Sequence, residues 1–127
     1  MAKRRSIHIE GFKHSNPIPV ATRLGPLLVS SVIVGTDPAT GKVPDSIEEQ
    51  CVHLFRHVRA MLAAAGATPE DVAKMEFWVP DRSAGRAVVN QEWAKMFPDL
   101  ASCPSRHTHL GSEPRLQASF MAYIDSE

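Results

Sequence analysis

Three polar side chains in the stretch "CPSRHTHL" (residues 103–110) have the types and spacing to hold an anion or to move a proton. Arg106 carries a planar guanidinium, which binds a carboxylate through two parallel hydrogen bonds. In an extended strand, Arg106 and Thr108 point to one face, whereas His107 and His109 point to the other. The pattern therefore predicts a candidate anion site at Arg106 and separates it from two imidazoles on the opposite face.

Two histidine pairs have spacings that metal ligands can have. His107 and His109 share one face of the predicted strand, and His53 and His57 lie four residues apart on a predicted helix. Leu54 follows His53, so the glutamate of a metalloprotease helix is absent. We therefore expect no metal in this protein.

The two cysteines are not expected to act as nucleophiles. Cys51 falls inside the apolar stripe of a predicted helix, where a thiol packs as a small apolar group. Cys103 precedes a proline and has no activating base nearby in the sequence. Two cysteines do not make a disulfide framework, so we expect a reducing cytoplasm.

Length and charge restrict the classes of partner. With 127 residues, the chain is expected to form one domain over residues 1–127. Fourteen lysines and arginines balance fourteen aspartates and glutamates, and this neutrality argues against nucleic acid or an anionic membrane as a partner. The longest apolar stretch, around "PLLVSSVIVG", is too short to cross a bilayer.

Turn signals and apolar periodicity predict the elements that must position these side chains. Apolar residues at three- and four-residue steps predict a helix that begins after Ser46 and ends at Gly66, and a second helix capped by Asp81 or Ser83. A short helical turn is predicted over 68–71. Strands are predicted over 18–24, 27–34, 74–80, 105–110 and 115–124.

This order, β-β-α-β-α-β-β, predicts an α+β fold, a mixed sheet with two helices on one face. The face without helices must be covered by something else, most simply by other copies of the chain.

Four stretches carry a resemblance to a known family: "LGPLLVSSVIVGTDPATGKVP", "LFRHVRAMLAAAGATPEDVAKMEFWVPD", "VNQEWAKMFP" and "CPSRHTHL". Together they resemble the reactive intermediate deaminases (RidA, also called YjgF). The resemblance implies a chorismate-mutase-like fold of the bacillus type and a homotrimer with sites between subunits. It also implies hydrolysis of small carboxylated enamines and imines to carbonyl compounds and ammonia, without metal or organic cofactor.

The resemblance also assigns expected roles to individual residues. Arg106 matches the arginine that holds the substrate carboxylate, Ser31 a serine that lines the cleft, and Asn90 an asparagine at the head of the second helix. Ile18 stands where an aromatic residue often covers the substrate, and Thr108 replaces a cysteine.

One departure from the family pattern concerns the catalytic step. Met121 stands where active members carry a glutamate that positions or activates water, so another group must move protons. The candidates are His14, His107, His109 and Glu113, although strand alternation argues against His107 sharing the cleft of Arg106 within one subunit.

The substrate branch and the activity itself stay open. The stretches "HSNPIPVATRLG" and "SEPRLQASFMAYI" are similar to members grouped with 2-aminomuconate deaminases, whose dicarboxylate substrates would suit a second cation from Arg23, Arg115 or His14. One alternative is a non-catalytic trimer that binds a small carboxylated metabolite, which Met121 favours. The other is a nucleic-acid or protein interaction role, such as the ribonuclease action ascribed to some relatives; the zero net charge argues against it.

Overall fold

Two capped helices pack on one face of the sheet in the computed structural model, which describes residues 3–125. Helix α1 (Ile47–Ala65) begins where the Ser46 side chain accepts the backbone N–H of Glu49, and it ends at Gly66 in a left-handed conformation with φ of 80°. Helix α2 (Arg82–Met96) begins at Asp81, whose carboxylate accepts the N–H of Ala84. Within residues 3–125, neither helix is long and apolar enough to span a membrane.

The strands form one mixed sheet. They are β1 (Arg4–Ile7), β2 (Ala21–Leu24), β3 (Leu27–Ser30), β4 (Ile33–Val34), β5 (Val72–Val79), β6 (Ser105–Leu110) and β7 (Gln117–Tyr123), with a 3₁₀ turn at Pro69–Asp71. Their order is β1-β2-β3-β7-β5-β6, and the short β4 also pairs with β7. Strands β5 and β6 are parallel and joined through α2, whereas the other pairs are antiparallel. The predicted α+β fold is confirmed.

Two details of the sheet differ from the sequence prediction. Strand β1 was not predicted, because Arg4, Arg5 and Ser6 are all exposed and give no apolar alternation. The strand predicted over 27–34 is interrupted after Ser30, where the Ser30 hydroxyl accepts the backbone N–H of Phe120 at 2.9 Å. A side chain thus replaces a backbone acceptor between the sheet strands, and pairing resumes at β4.

The two faces of the sheet have opposite environments. Residues that point toward the helices are buried in one core, for example Leu28, Met75, Phe77 and Ala118, each 0% exposed. The other face, here called the open face, has no helix over it among the described residues. Several large apolar side chains of its strands are exposed there: Leu24, Leu27, Met121 and Tyr123. The expectation that one face is left uncovered by helices is therefore met.

A buried glutamine joins α1 to the segment before this helix and to the residue that precedes β7. The Gln50 side-chain nitrogen donates to the carbonyl of Pro44 at 2.8 Å, and its oxygen accepts the backbone N–H of Leu116 at 2.9 Å. Because Gln50 is only 3% exposed, water cannot easily replace either bond.

We predict that Gln50→Leu destabilises the fold by about 2 kcal/mol, because the buried N–H of Leu116 then has no acceptor. The melting temperature should fall by roughly 5–10 °C, measured by differential scanning calorimetry. Gln91→Leu, at an exposed position of α2, is the matched control and should leave it nearly unchanged. Equal melting temperatures for the two variants would show that the bridge does not stabilise the fold.

A buried histidine makes the stability of the fold depend on pH. The Nε2 atom of His57 lies 2.8 Å from the carbonyl oxygen of Thr36, and its ring stacks on Phe12 at 5.1 Å between centroids. Because a carbonyl only accepts, Nε2 carries the proton of the neutral ring. Burial lowers the pKa of His57, and the nearby His53 and Arg56 lower it further against the opposing effect of the Thr36 bond.

Since the pKa of His57 is lower in the folded chain, the unfolded chain takes up the proton first as pH falls below about 6.5. The stability that neutral His57 contributes is thus fully present above that pH and is lost as the pH falls below it. We predict that His57→Gln, which can still donate to Thr36, shows a smaller fall in melting temperature between about pH 7.5 and 5.5 than the parent protein. His8→Gln, at an exposed position, should keep the parent slope. A parent slope in His57→Gln would contradict this assignment.

Candidate active site

Arg106 lies on β6, at the edge of the sheet, and its side chain points toward α2. Its Nη2 atom donates to the Oδ1 atom of Asn90 at 2.7 Å, and its guanidinium carbon lies 5.0 Å from the centre of the Trp93 ring. Both partners are neutral and come from α2, where Asn90 is the ninth residue and does not lie at the head of the helix as predicted. The guanidinium is therefore oriented by a hydrogen bond and an aromatic face while its positive charge is not neutralised.

The approach of α2 to the sheet depends on a glycine. A Cβ atom on Gly85 would lie only 2.5 Å from the Cβ of Val79 on β5, so only glycine allows this close packing. Trp93 is fixed in turn by Phe97, with ring centroids 4.7 Å apart. The helix can thus hold Asn90 and Trp93 against the β6 side chain.

The Arg106 site is electropositive. Burial lowers the pKa of Arg106, the positive charge of Arg86 lowers it further, and Cys103 has a small opposite effect. Among residues 3–125, Arg106 forms no salt bridge. Arg86 precedes Asn90 by four residues, so both lie on one side of α2. The sequence analysis missed Arg86, although this spacing was a usable signal.

Thr108 is half-buried two residues after Arg106 on β6 and points to the same face, as alternation predicts. By contrast, Ser31 and Ile18 lie elsewhere in the chain. The Ser31 hydroxyl donates to the carbonyl of Pro19 at 2.7 Å, and Ile18 is exposed. Strands β3 and β6 are separated by β7 and β5, which is three strand spacings or about 14 Å. One chain therefore does not bring Ser31 and Ile18 to Arg106.

His14 and Arg115, together with Lys13 and Lys42, line a cavity that does not include Arg106. The Nε2 atom of His14 is buried and has no hydrogen-bond partner among the described residues. Arg115 is paired with Glu113, whose carboxylate accepts its Nε at 2.8 Å in an exposed loop. Glu113 and His14 are thus both outside the Arg106 site.

The third candidate cation, Arg23, already binds a backbone carbonyl of the same chain. Its Nη1 atom donates to the carbonyl of Ala65 at 2.6 Å, at the end of α1.

His107 and His109 lie on the open face, opposite Arg106. Both face Glu76 of β5: the Nε2 atom of His109 lies 3.3 Å from the Oε2 atom of Glu76, and the Nδ1 atom of His107 lies 3.8 Å from the same oxygen. The hydrogen bond from His109 is the main cause that lowers the pKa of Glu76. The sequence analysis did not single out Glu76, because its closeness to the histidines depends on strand pairing.

Met121 also lies on the open face, 45% exposed, between Val29 of β3 and Lys74 of β5. Cys51 is buried, and burial raises its pKa to about 12, so its thiol is protonated at neutral pH.

By itself, the Arg106 site can bind an anion, most readily a carboxylate, against a fixed guanidinium.

The protein is thus an α+β domain, a mixed sheet with two helices on one face. At the edge of the sheet lies an arginine with no acidic partner among residues 3–125. The family described as Endoribonuclease L-PSP matches residues 12–110. The chain belongs to this family, which includes the RidA and YjgF proteins.

Curated relatives support the same family. A RutC family protein from Aquifex aeolicus is 29% identical over 97 residues, covering 72% of this chain and 77% of the relative. TdcF of Escherichia coli K12, which bears the provisional name reactive intermediate deaminase, is 27% identical over 84 residues, covering 65% of this chain and 64% of its own length.

Solved structures support the fold. The YjgF gene product of Escherichia coli matches with a TM-score of 0.80 at 23% identity, covering 94% of this chain and 98% of that one. A crystal structure of Escherichia coli TdcF with bound serine matches with a TM-score of 0.81 at 22% identity and the same coverage.

Proposed function

We propose that this protein is a cofactor-free hydrolytic deaminase that converts small carboxylated enamines or imines to carbonyl compounds and ammonia. The observation that carries the proposal is the guanidinium of Arg106, held by neutral Asn90 and Trp93 with no acidic partner among residues 3–125. Such a group can anchor the carboxylate of a substrate and fix the position of the adjacent carbon and nitrogen.

The family supports deaminase chemistry over the alternatives. A relative, TdcF, is named as a reactive intermediate deaminase, and a structure of TdcF holds serine, a small carboxylated amine. The formal net charge of zero gives no electrostatic reason to prefer RNA as substrate. The two free thiols, Cys51 and Cys103, are in keeping with the cytoplasm as the expected compartment.

A dicarboxylate of the 2-aminomuconate type is the finer substrate proposal. Arg86 is a better second cation for it than the three candidates from the sequence, because it acts electrostatically on Arg106. Arg23 is bound to a backbone carbonyl, and Arg115 and His14 line another cavity.

We further propose that the working site lies between subunits of a homotrimer. One chain leaves the Arg106 site without Ser31 and Ile18, and it leaves the apolar open face uncovered. A neighbouring copy would supply both missing parts at once.

The proton shuttle is then a group brought by a neighbour or by a loop. In one chain, His107 and His109 face away from Arg106, so they would serve only the cleft of a neighbouring subunit. His14 and Glu113 are the other two candidates, and Met121 cannot replace the family's glutamate.

A non-catalytic trimer that binds a small carboxylated metabolite is the second candidate function. Met121 favours it, because a thioether cannot activate water. This candidate shares the Arg106 anchor with the first, so the two differ in turnover and not in binding.

We predict that Arg106→Gln lowers kcat/KM for ammonia release from freshly generated 2-imino acids, or from 2-aminomuconate, by about 30- to 900-fold. The reason is the loss of a charge-assisted contact worth about 2–4 kcal/mol. Arg82→Gln, at an exposed arginine of α2, is the matched control. Both variants should melt near the parent temperature.

Each outcome decides between the candidates. Full activity in Arg106→Gln would reject the anchor and with it the proposed site. No ammonia release by the parent protein, together with saturable carboxylate binding that Arg106→Gln removes, would establish the non-catalytic alternative. Arg86→Gln should weaken a dicarboxylate more than a monocarboxylate.

The proposed assembly has its own prediction. Tyr123→Glu places a charge on the apolar open face and should convert a trimer to monomers in sedimentation velocity, with loss of turnover. Leu100→Glu is the control, since Leu100 is 90% exposed in the loop between α2 and β6. A monomeric parent protein with full activity would contradict the intersubunit site.

A further inference from the structure

Three ligand-type side chains converge on the open face, away from Arg106. Glu76 of β5 is paired in register with His107 of the parallel β6, and Trp78 with His109, so Glu76 and both histidines point to one side. Their ligand atoms all lie within 4.8 Å of one another. We infer that Glu76, His107 and His109 form a binding site for a divalent transition metal ion of the Zn²⁺ type.

Two of the three distances between ligand atoms are close to those around such an ion. In a tetrahedral Zn²⁺ site with ligand bonds of about 2.0–2.1 Å, neighbouring ligand atoms are about 3.3 Å apart. The Oε2 atom of Glu76 lies 3.3 Å from Nε2 of His109 and 3.8 Å from Nδ1 of His107. Small side-chain rotations would bring the second distance to the first.

An internal hydrogen bond explains only part of this arrangement. His109 is close enough to Glu76 to form one, but at 3.8 Å His107 is not. Among residues 3–125, His107 forms no other side-chain hydrogen bond. A metal ion would use both imidazoles, whereas the carboxylate alone binds one.

The frame of the site is rigid and its opening is accessible. Two paired strands fix the backbone of all three ligands, and the Trp78 ring stacks on His109 at 5.2 Å. In a single chain, the side chains of Glu76, His109 and His107 are 31%, 42% and 58% exposed, so an ion can reach all three before neighbouring copies cover the open face. Three protein ligands leave a fourth position for water.

One positive charge opposes the ion. The Nζ atom of Lys74 lies 4.0 Å from Oε2 of Glu76, so a bound metal must displace the ammonium group. Because that pair is partly exposed and its charged atoms are 4.0 Å apart, the cost is small.

The ligand set limits the kind of ion. Two imidazoles and one carboxylate suit Zn²⁺, Fe²⁺ and related ions and do not suit Ca²⁺ or Mg²⁺, which prefer oxygen ligands. The sequence prediction of no metal rested on histidine pairs alone. Glu76 is 31 positions before His107, and only the β5–β6 register reveals it as a third ligand.

The test uses the purified full-length protein, in its native assembly, after treatment with a chelator. Zn²⁺ is titrated in competition with a chromophoric chelator, and Co²⁺ is added separately to record its visible absorption. We expect one equivalent of Zn²⁺ per chain, an intense Co²⁺ spectrum typical of nitrogen ligation, and a higher melting temperature with Zn²⁺.

Glu76→Gln, His107→Ala and His109→Ala should each weaken Zn²⁺ binding by about tenfold or more. His8→Ala, an exposed histidine elsewhere, should bind as the parent does, and Lys74→Met should bind more tightly. Arg106→Gln should keep full Zn²⁺ binding, which separates this site from the proposed deaminase site.

Two results would overturn the inference. One is the absence of saturable Zn²⁺ binding in the parent protein. The other is binding that survives Glu76→Gln but is lost in Cys103→Ser, which would assign the ion to the exposed thiol. Melting curves without metal show whether each variant is folded. A metal held by His107 and His109 would leave His14 and Glu113 as the candidate proton shuttles.

Discussion

The pleat of the edge strand β6 is the constraint on which the functional surfaces depend. Because successive side chains alternate between faces, Arg106 points to α2 while His107 and His109 point to the open face. A register slip of one residue would exchange the two sets. The parallel pairing with β5, made through α2, fixes that register along six residue pairs. Two chemically different surfaces thus share one strand without contact between them.

The neutrality of the partners of Arg106 explains why this arginine can serve a ligand. An arginine paired to an internal carboxylate would present little net charge, whereas Asn90 orients the guanidinium and leaves its charge intact. The nearby Arg86 adds to the positive potential and has no acidic neighbour among the salt bridges of residues 3–125. An anion that enters the site would therefore meet a guanidinium that is already oriented and already partly removed from water.

Local signals in the sequence were enough for most of the fold. Ser46, Gly66 and Asp81 mark helix ends through contacts within a few residues, so both ends of α1 were predicted, and Asp81 was one of two caps predicted for α2. Strand alternation also placed Arg106 and the histidines on opposite faces. Strand β1 was missed because its side chains are exposed, and its existence depends on pairing with β2. Glu76 was missed as a site residue for a related reason, because its neighbours are set by strand register, which short patterns do not encode. Arg86 was missed although its four-residue spacing from Asn90 on α2 is a local signal.

The position of β6 at the end of the sheet has a consequence for evolution of the cleft. Within residues 3–125, no strand pairs with its outer side, so backbone amide and carbonyl groups beside Arg106 stay available to a bound molecule. Recognition by the main chain does not change when side chains are substituted. Relatives could therefore exchange residues such as Thr108 and alter ligand preference while the same peptide groups continue to contact the ligand.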